Sequence, residues 1–289
     1  MGAVCGQTLK KRYEIKSAVA SGGMGAVFLA HDRALDIKVA VKELFDRSSE
    51  ARAQFEREAK ILAKLSHPAL PRVTDWFLEG RVAFLVMDFV EGQDLQAYMT
   101  ARGRGVSEER AVEWTLQLLD VLDYIHANHV VHRDLKPANV RLTPAGKLVL
   151  VDFGIARQGG GMTSPFARGA CTPAIAPPEQ CTVSGRTGPE SDLYALGVTL
   201  YFLLTGAYPP DAMSRLMGMD VPSVGRLDGV IARAMALDTA DRFQSAAEMA
   251  QALRSAVGTP RAAAPAPVAV PQAVAPMPAA VFRREIRRM

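Results

Sequence analysis

The sequence predicts an α+β protein in which a small β-rich lobe with one helix precedes a larger, mainly helical lobe. Residues 13 to 45 alternate short runs of β-forming residues with glycine turns, a pattern typical of antiparallel strands. Residues 107 to 127 carry apolar side chains at helical spacing, which indicates an amphipathic helix. Residues 191 to 205 are mostly apolar, so we expect a helix that is buried on most of its faces.

The small lobe is predicted over residues 13 to 90. Its first three strands are expected in the runs YEIKSAVA, AVFLAHD and KVAVKELF. A helix is predicted over residues 50 to 65, where apolar side chains recur at helical spacing. Two more strands are expected within residues 72 to 90. A three-stranded sheet, a helix and a further hairpin therefore make up this lobe.

The larger lobe is predicted over residues 91 to 258. Its first long helix starts at the sequence SEE, which is typical of a helix cap. The runs NVRLT and KLVLVD then predict two short strands between residues 139 and 152. Beyond the apolar helix, further helices are expected near residues 226 to 237 and 244 to 256.

The ends of the chain differ from its body. Residues 259 to 289 are rich in proline and alanine and hold five arginines against one glutamate, a charge of +4 that equals the charge of the whole chain. We expect an extended linker there and a nearly neutral body that does not suggest nucleic-acid binding. The basic end FRREIRRM at 282 to 289 could contact an acidic partner or an anionic membrane, with a simple solvated end as the alternative.

Cysteine content and hydropathy favour the cytoplasm. Cys5, Cys171 and Cys181 form no CxxC pair, which argues against a disulfide framework or a zinc site. No apolar run reaches the length of a membrane span. Residues 1 to 12 are interpreted as an N-terminal extension. MGAVCG resembles a myristoylation signal but has Gly6 where Ser or Thr is required, so we expect a disordered end instead.

A glycine-rich turn, ASGGMGAV at 20 to 27, joins the first two predicted strands. Glycines let a backbone approach phosphate oxygens closely, and the β-branched residue after them can cover a base. A purely structural hairpin is the alternative. The candidate nucleotide-contacting residues of this turn are Val19, Ala20, Gly22, Gly23, Gly25 and Val27.

Lys42 ends the run VAVK in the strand after this turn. It could donate to the α- and β-phosphates of a nucleotide if an acid on a nearby helix held it, and a solvated surface lysine is the alternative. Within the predicted helix, Glu58 lies on the apolar stripe, whereas Glu56 points outside it. Because a buried acid without a partner is costly, we expect Glu58 to pair with Lys42.

The stretch HRDLKPAN at 132 to 139 is followed by DFG at 152 to 154. With the glycine turn, Lys42 and Glu58 in the same order, these motifs resemble those of protein kinases. The resemblance covers about residues 13 to 256 and is to bacterial, eukaryotic-like serine/threonine kinases. Lys136, two residues after the HRD aspartate, resembles the serine/threonine branch and not the tyrosine branch. The resemblance implies the bilobal protein-kinase fold, ATP- and magnesium-dependent phosphorylation of serine or threonine in proteins, autophosphorylation and a signalling role.

The resemblance assigns the catalytic and metal-binding roles. Asp134 would orient the substrate hydroxyl and accept its proton, and Lys136 would steady the transferred phosphate. Asp152 and Asn139 would supply oxygen ligands to magnesium. Lys42 and Glu58 would complete the catalytic set.

The same resemblance places adenine against the run MDFV, with Met87 as the gatekeeper and the backbone of Asp88 and Val90 as its hydrogen-bonding groups. Arg141 stands where the family has an apolar floor, and its stem could lie beneath the base or its guanidinium could stack on it. The remaining expected nucleotide contacts are Ala40 and, at the ribose, Asp94.

Several further residues are assigned structural roles by the resemblance. Glu179 would pair with Arg242, and Asp192 would anchor the catalytic loop, which is HRDLKPAN at 132 to 139. Thr172 and Pro173 would lie in the substrate-receiving segment, although Cys171 and Ile175 depart from the family's residues there, as Ala20 does in the glycine turn. The expected internal spine is Leu62, Val73, His132 and Phe153.

Two further questions stay open at this level. Arg133 beside Asp134 predicts a docking site for a phosphate on Thr163 or Ser164, which would raise activity, but an arginine can instead bond backbone carbonyls. A nucleotide-binding scaffold without turnover is the alternative function, and a small-molecule kinase is a third. Kinase-fold scaffolds without turnover commonly lack the lysine, the catalytic aspartate or the DFG aspartate. Lys42, Asp134 and Asp152 are all present here, so nothing in the sequence supports the scaffold interpretation.

Overall fold

The small lobe is a curled, six-stranded antiparallel sheet with one helix packed on it. In this computed structural model the chain is described over residues 3–22, 25–152, 173–181 and 187–258. The strand order in the sheet is β1-β2-β3-β4-β6-β5. The strands are β1 Thr8–Leu9, β2 Tyr13–Gly22, β3 Gly25–Asp32, β4 Ile37–Leu44, β5 Val73–Glu79 and β6 Val82–Asp88.

The two edges of this sheet meet. The Tyr13 ring on β2 stacks on the Phe77 ring of β5 with centroids 5.7 Å apart, and its hydroxyl donates to Asp75 at 2.8 Å. The backbone N–H of Lys10 donates to the Glu79 carboxylate at 3.0 Å. Large aromatic side chains between the edges therefore curl the sheet around its own core.

The expectation of a disordered N-terminus was wrong. Strand β1 pairs with β2, and its Leu9 is only 1% exposed. The backbone N–H of Ala3 donates to the carboxylate of the buried Glu43 at 2.8 Å. The physical reason is that residues 3 to 9 bury an apolar side chain and pair their backbone with a strand that would otherwise form the edge of the sheet.

Helix α1, Ser49–Leu62, packs against β5 and β6. It begins at Ser48, whose side chain accepts a hydrogen bond from the N–H of Ala51, as expected for an N-cap serine. It buries Phe55, Glu58, Ala59 and Leu62. The predicted helix at 50 to 65 is thus confirmed, and it ends a few residues earlier.

The larger lobe is mainly helical. Helix α4 is buried along most of its length and packs against α3 and α6, and α3 also packs against α7. Its helices are α2 Leu95–Arg102, α3 Glu108–Ala127, α4 Pro189–Thr205, α5 Ala212–Leu216, α6 Asp228–Ala234 and α7 Ala246–Gly258. A three-stranded sheet, β7-β8-β9, lies in front of them, with strands β7 Gln93–Asp94, β8 Val140–Leu142 and β9 Leu148–Leu150. The predicted α+β class and bilobal fold are confirmed.

Among the described helices, none is both long enough and apolar enough to cross a bilayer.

The chain divides into two units, Met1–Thr259 and Pro260–Met289. The predicted linker with its basic end lies outside the described residues. The domain boundaries therefore stay predictions.

Candidate active site

Lys42 and Asp152 form an ion pair between β4 and the residue that follows β9 by two positions. The lysine side chain is 16% exposed and the aspartate 34%. Asp152 has a φ of +63°, an uncommon conformation for a residue with a side chain. The structure therefore brings together the lysine and the aspartate that the sequence placed in two separate motifs.

The electrostatic surroundings keep Asp152 ionised. Burial raises the pKa of its carboxyl, but the attraction and hydrogen bond of Lys42 outweigh it, with smaller help from His132 and Lys136. The pKa of Asp152 consequently lies below its ordinary value. An ionised carboxylate is the form that a hard cation binds.

Glu58 does not pair with Lys42 in this structure. Its Oε1 accepts a hydrogen bond of 3.0 Å from the Nε2 of Gln54, one helical turn earlier. Its Oε2 is buried and has no hydrogen-bond partner among the described residues. Burial is the largest cause that raises the pKa of Glu58 to about 7. The expected ion pair is absent between these two described residues because Lys42 pairs with Asp152 and Gln54 supplies Glu58 with a local donor.

The catalytic-loop residues are tied to one another. The Nζ of Lys136 lies 3.0 Å from the Oδ2 of Asp134. The side-chain amide of Asn139, which ends the 3-10 helix Pro137–Asn139, donates to the backbone oxygen of Asp134 at 2.8 Å and to its Oδ2 at 3.0 Å. The structure thus groups three of the predicted catalytic and metal-binding residues around one carboxylate.

The donor set fits a magnesium ion. Both bonds of Asn139 to Asp134 use its amide nitrogen, which leaves the amide oxygen as a ligand. Asp152 adds a carboxylate whose pKa is lowered. Magnesium in nucleotide sites takes one or two such oxygens and completes its shell with phosphates and water.

Asp192 on α4 holds the catalytic loop through the backbone. It is 1% exposed and accepts hydrogen bonds of 2.8 Å from the N–H groups of His132 and Arg133. Arg133 has a φ of +65°. Two bonds to one buried carboxylate stabilise this uncommon backbone conformation next to Asp134.

Sequence reasoning missed His126, which lies in the last turn of α3. Its Nε2 lies 2.9 Å from the Oδ2 of Asp192. A signal was present, because His126 follows the buried Leu122 by four residues and so lies on the apolar face of α3. His126 therefore belongs to the support of the catalytic loop.

His132 is fully buried, and its Nε2 lies 3.2 Å from the carbonyl oxygen of Val151. Burial is the largest cause that lowers its pKa, although nearby carboxylates act in the opposite direction. A neutral imidazole packed in the interior supports the interpretation of His132 as a core residue and not a general base.

The glycine turn lies at the tip of the β2–β3 hairpin. Gly22 and Gly25 are opposite each other in the β2–β3 register, and Gly23 lies outside the described residues. A Cβ on Gly25 would lie 2.1 Å from the carbonyl oxygen of Glu43, so a side chain cannot be accommodated there. Val27, in turn, lies between Ala20 on β2 and Lys42 on β4. Val19, the last candidate of this turn, is 44% exposed.

The segment that joins the lobes is held by several side chains. The N–H of Asp88 donates to the carbonyl of Arg72 at 3.0 Å. Asp94 caps α2 by accepting from the N–H of Ala97 at 2.7 Å. The guanidinium of Arg141 donates to the carbonyl of Gly92. The positive charge of Arg141 therefore lies at the segment between β6 and β7, which joins the lobes. Val90 lies between these contacts in the chain.

A pocket that is open to solvent lies between α1 and the sheet. Lys42 and Asp152 line it together with Met87, which is paired with Ala40 across β4 and β6. The pocket also contains two of the expected spine residues, Leu62 and Val73, whereas Phe153 lies outside the described residues. Met87, the predicted gatekeeper, therefore lines the same pocket as the Lys42–Asp152 pair.

A second open pocket lies beside the catalytic loop. Asp134 and Lys136 line it from one side and Ile175 and Gln180 from the other. This arrangement could admit a hydroxyl to the Asp134 carboxylate. The predicted substrate-segment and phosphorylation residues Thr163, Ser164, Cys171 and Thr172 lie outside the described residues.

Comparison with known proteins agrees with this geometry. A sequence model described as the protein kinase domain matches residues 13–254. The chain is 32% identical over 274 residues to serine/threonine-protein kinase PrkC of Bacillus subtilis, covering 89% of this chain and 42% of that protein. It is 36% identical over 262 residues to a probable serine/threonine-protein kinase of Streptomyces coelicolor, covering 82% of this chain and 39% of that protein. The chain thus spans about two fifths of the length of these relatives.

Solved structures show the same fold. The apo form of PpkA-294 superposes with a TM-score of 0.73 at 28% identity, covering 87% of this chain and 99% of that one. A single-site mutant of the Mycobacterium tuberculosis PknI kinase domain gives a TM-score of 0.69 at 29% identity, covering 89% of this chain and 100% of that one.

Proposed function

We propose that this chain, which belongs to the protein kinase domain family, transfers the γ-phosphoryl group of ATP to serine or threonine hydroxyls of proteins. The observation that carries the proposal is the cluster of Asp134, Lys136 and Asn139, in which one carboxylate contacts both a lysine ammonium and an amide. Curated relatives named serine/threonine-protein kinases support the same activity.

In this mechanism Asp134 orients the substrate hydroxyl and accepts its proton. Lys136, whose Nζ lies 3.0 Å from that carboxylate, neutralises charge that develops on the transferred group. Asn139 keeps Asp134 in place through its two amide bonds. Phosphoryl transfer depends mainly on such positioning and charge stabilisation.

Nucleotide and metal would be held between the lobes. Asp152 and the side-chain oxygen of Asn139 would hold magnesium, which supplies charge neutralisation at the phosphates. Lys42 would donate to the α- and β-phosphates of the nucleotide. Adenine would lie below Val27 and Ala40 and above the stem of Arg141, with its edge at the backbone of Asp88 and Val90.

Location and partners follow from the chemistry. The donor ATP and the exposed free thiol of Cys5 both suit a reducing cytoplasm. Serine- or threonine-containing proteins would be the partners, and the basic C-terminal residues could still contact an acidic one. The activity is proposed to rise when a phosphate on Thr163 or Ser164 docks at Arg133.

The test is incubation of the full chain with ATP, magnesium and a generic basic protein, followed by mass spectrometry. Phosphoserine or phosphothreonine on the protein, and on the chain itself, is the expected result. Nucleotide binding without any transfer would instead identify a scaffold, the second candidate function. Transfer to small molecules alone would identify a small-molecule kinase.

A further inference from the structure

We propose that Gln54 is a positioning residue that controls access of Glu58 to Lys42, by holding the Glu58 carboxylate in a hydrogen bond within α1. The inference rests on the proposed kinase function and deepens it. Gln54 is four residues before Glu58, so the two side chains lie on one face of the helix.

The first observation is geometric. The Nε2 of Gln54 donates to the Oε1 of Glu58 at 3.0 Å. Glu58 is 9% exposed, and Gln54 is its only hydrogen-bond donor among the described residues. A single neutral donor on a buried carboxyl is a weak arrangement, because a buried acid is stable only when its oxygens are satisfied.

The second observation is the unsatisfied oxygen. The Oε2 of Glu58 is buried without a hydrogen-bond partner in the described part of the chain. The cations that act on this carboxyl are Arg133 of the catalytic loop, Lys42 of β4 and Arg57 of α1. An ammonium from Lys42 would satisfy the orphan oxygen, so the described arrangement leaves Glu58 prepared for a second partner.

The third observation concerns Lys42, which is paired with Asp152. Asp152 is also the expected magnesium ligand. A cation bound to its carboxylate would weaken the electrostatic attraction between Asp152 and Lys42. Lys42 could then turn to Glu58, provided that Gln54 releases it. Gln54 thus holds Glu58 and Asp152 holds Lys42, and these two contacts keep Glu58 and Lys42 from pairing with each other.

Substitutions at Gln54 should therefore change activity in opposite directions. Gln54→Met keeps an unbranched side chain of similar length and good helix propensity but removes the donor. We expect kcat/KM for ATP of the dephosphorylated protein to rise about three- to tenfold. Gln54→Lys places a charged donor at the same position and should lower it by a similar factor, because the Glu58 carboxylate is then held more strongly.

A matched control lies on the same helix. Lys60 and Glu56 form an exposed pair of 2.7 Å with the same four-residue spacing. Lys60→Met removes that pair and should leave kcat/KM unchanged. In a Glu58→Gln background, Gln54→Met should add nothing, since an effect through Glu58 disappears when Glu58 cannot ionise.

A binding experiment separates this inference from the proposed function. In an Asp134→Asn background, calorimetry with ATP and magnesium should show tighter binding for Gln54→Met than for Lys60→Met. Tighter binding for Gln54→Met, together with a wild-type chain that phosphorylates no protein, would retain the role of Gln54 and remove the proposed activity. Equal rates and equal affinities for the two variants in an active kinase would overturn the role of Gln54.

Discussion

The guanidinium of Arg242 donates a hydrogen bond of 2.8 Å to each carboxylate oxygen of Glu179. The Arg242 side chain is fully buried and the Glu179 side chain is 11% exposed. Ser191 donates to the same carboxylate at 2.7 Å, and the Tyr194 ring lies 4.8 Å from the guanidinium carbon. The predicted pair is therefore formed, and it ties the segment before α4 to the residues before α7.

Breaking this pair should destabilise the larger lobe. Arg242→Met leaves the Glu179 carboxylate buried without its cation, and we expect unfolding in urea to show a loss of about 3 to 5 kcal/mol. Glu179→Gln/Arg242→Met, which leaves no buried charge, should recover part of that loss. A single variant as stable as the wild type would contradict a structural role for the pair.

The same pair predicts a pH dependence. Burial raises the pKa of Glu179, but the bonds from Arg242 and Ser191 outweigh it and the pKa is lowered. A lowered pKa contributes stability above the unfolded value of 4.5, and this contribution is lost as the pH falls through the folded value. Without Arg242, burial raises the pKa of Glu179 in the variant. The stability difference between wild type and Arg242→Met should therefore shrink in urea titrations as the pH falls, beginning above about pH 4.5.

Three substitutions should abolish phosphoryl transfer while the fold is retained. Lys42→Ala, Asp134→Asn and Asp152→Ala each remove charge stabilisation that is used mainly in the transition state, at a loss of at least about 100-fold in kcat. Asp152→Ala should also weaken magnesium-dependent nucleotide binding. Circular dichroism checks the fold, and near-normal turnover in any of the three would remove that residue from the mechanism.

Glu58 should make stability fall as the pH rises. Burial raises the pKa of its carboxyl from 4.5 to about 7, so the neutral form is favoured in the folded state. The loss of stability caused by ionising the buried Glu58 is absent below about pH 4.5 and grows until the pH passes about 7. Glu58→Gln, which cannot ionise, should be more stable than the wild type by about 3 kcal/mol at pH 8 and equal to it at pH 4. Parallel stability curves for the two proteins would show that Glu58 titrates normally.

Truncation after residue 258 should leave catalysis unchanged. The removed residues are rich in proline and alanine and cannot bury a core of their own. Initial rates and melting temperature of the shortened chain should match those of the full chain. Loss of activity or of folding would show that the linker interpretation is wrong.

Activity should depend on phosphorylation at Thr163 or Ser164. Preincubation with ATP after phosphatase treatment should raise the initial rate of the wild type, because a phosphate of roughly −2 charge can bind the Arg133 guanidinium. The double substitution Thr163→Ala/Ser164→Ala should remove the increase. Equal wild-type rates before and after preincubation, with no phosphopeptide from residues 157 to 172, would leave Arg133 with a structural role.

The amino-acid sequence by itself predicted the longer helices and strands and the candidate catalytic groups. Its alternating and helical patterns identified β2 to β6, α1 and α3, because an element that buries one face has apolar residues at regular intervals in the sequence. The short elements β1, β7 and α5 carried too few residues to show a period. Asp134 and Asn139 were predicted from the motif HRDLKPAN, and because they are only five residues apart in one loop, their side chains are in contact.

The choice among competing partners was decided by tertiary structure alone. Lys42 had Glu58 as its expected partner, yet it pairs with Asp152. Arg141 could have stacked on a base, and its guanidinium binds the Gly92 carbonyl. A sequence shows which groups can ionise or donate, but electrostatic and hydrogen-bond energies depend on separations of a few ångströms. Those separations between distant segments are set only when the lobes pack.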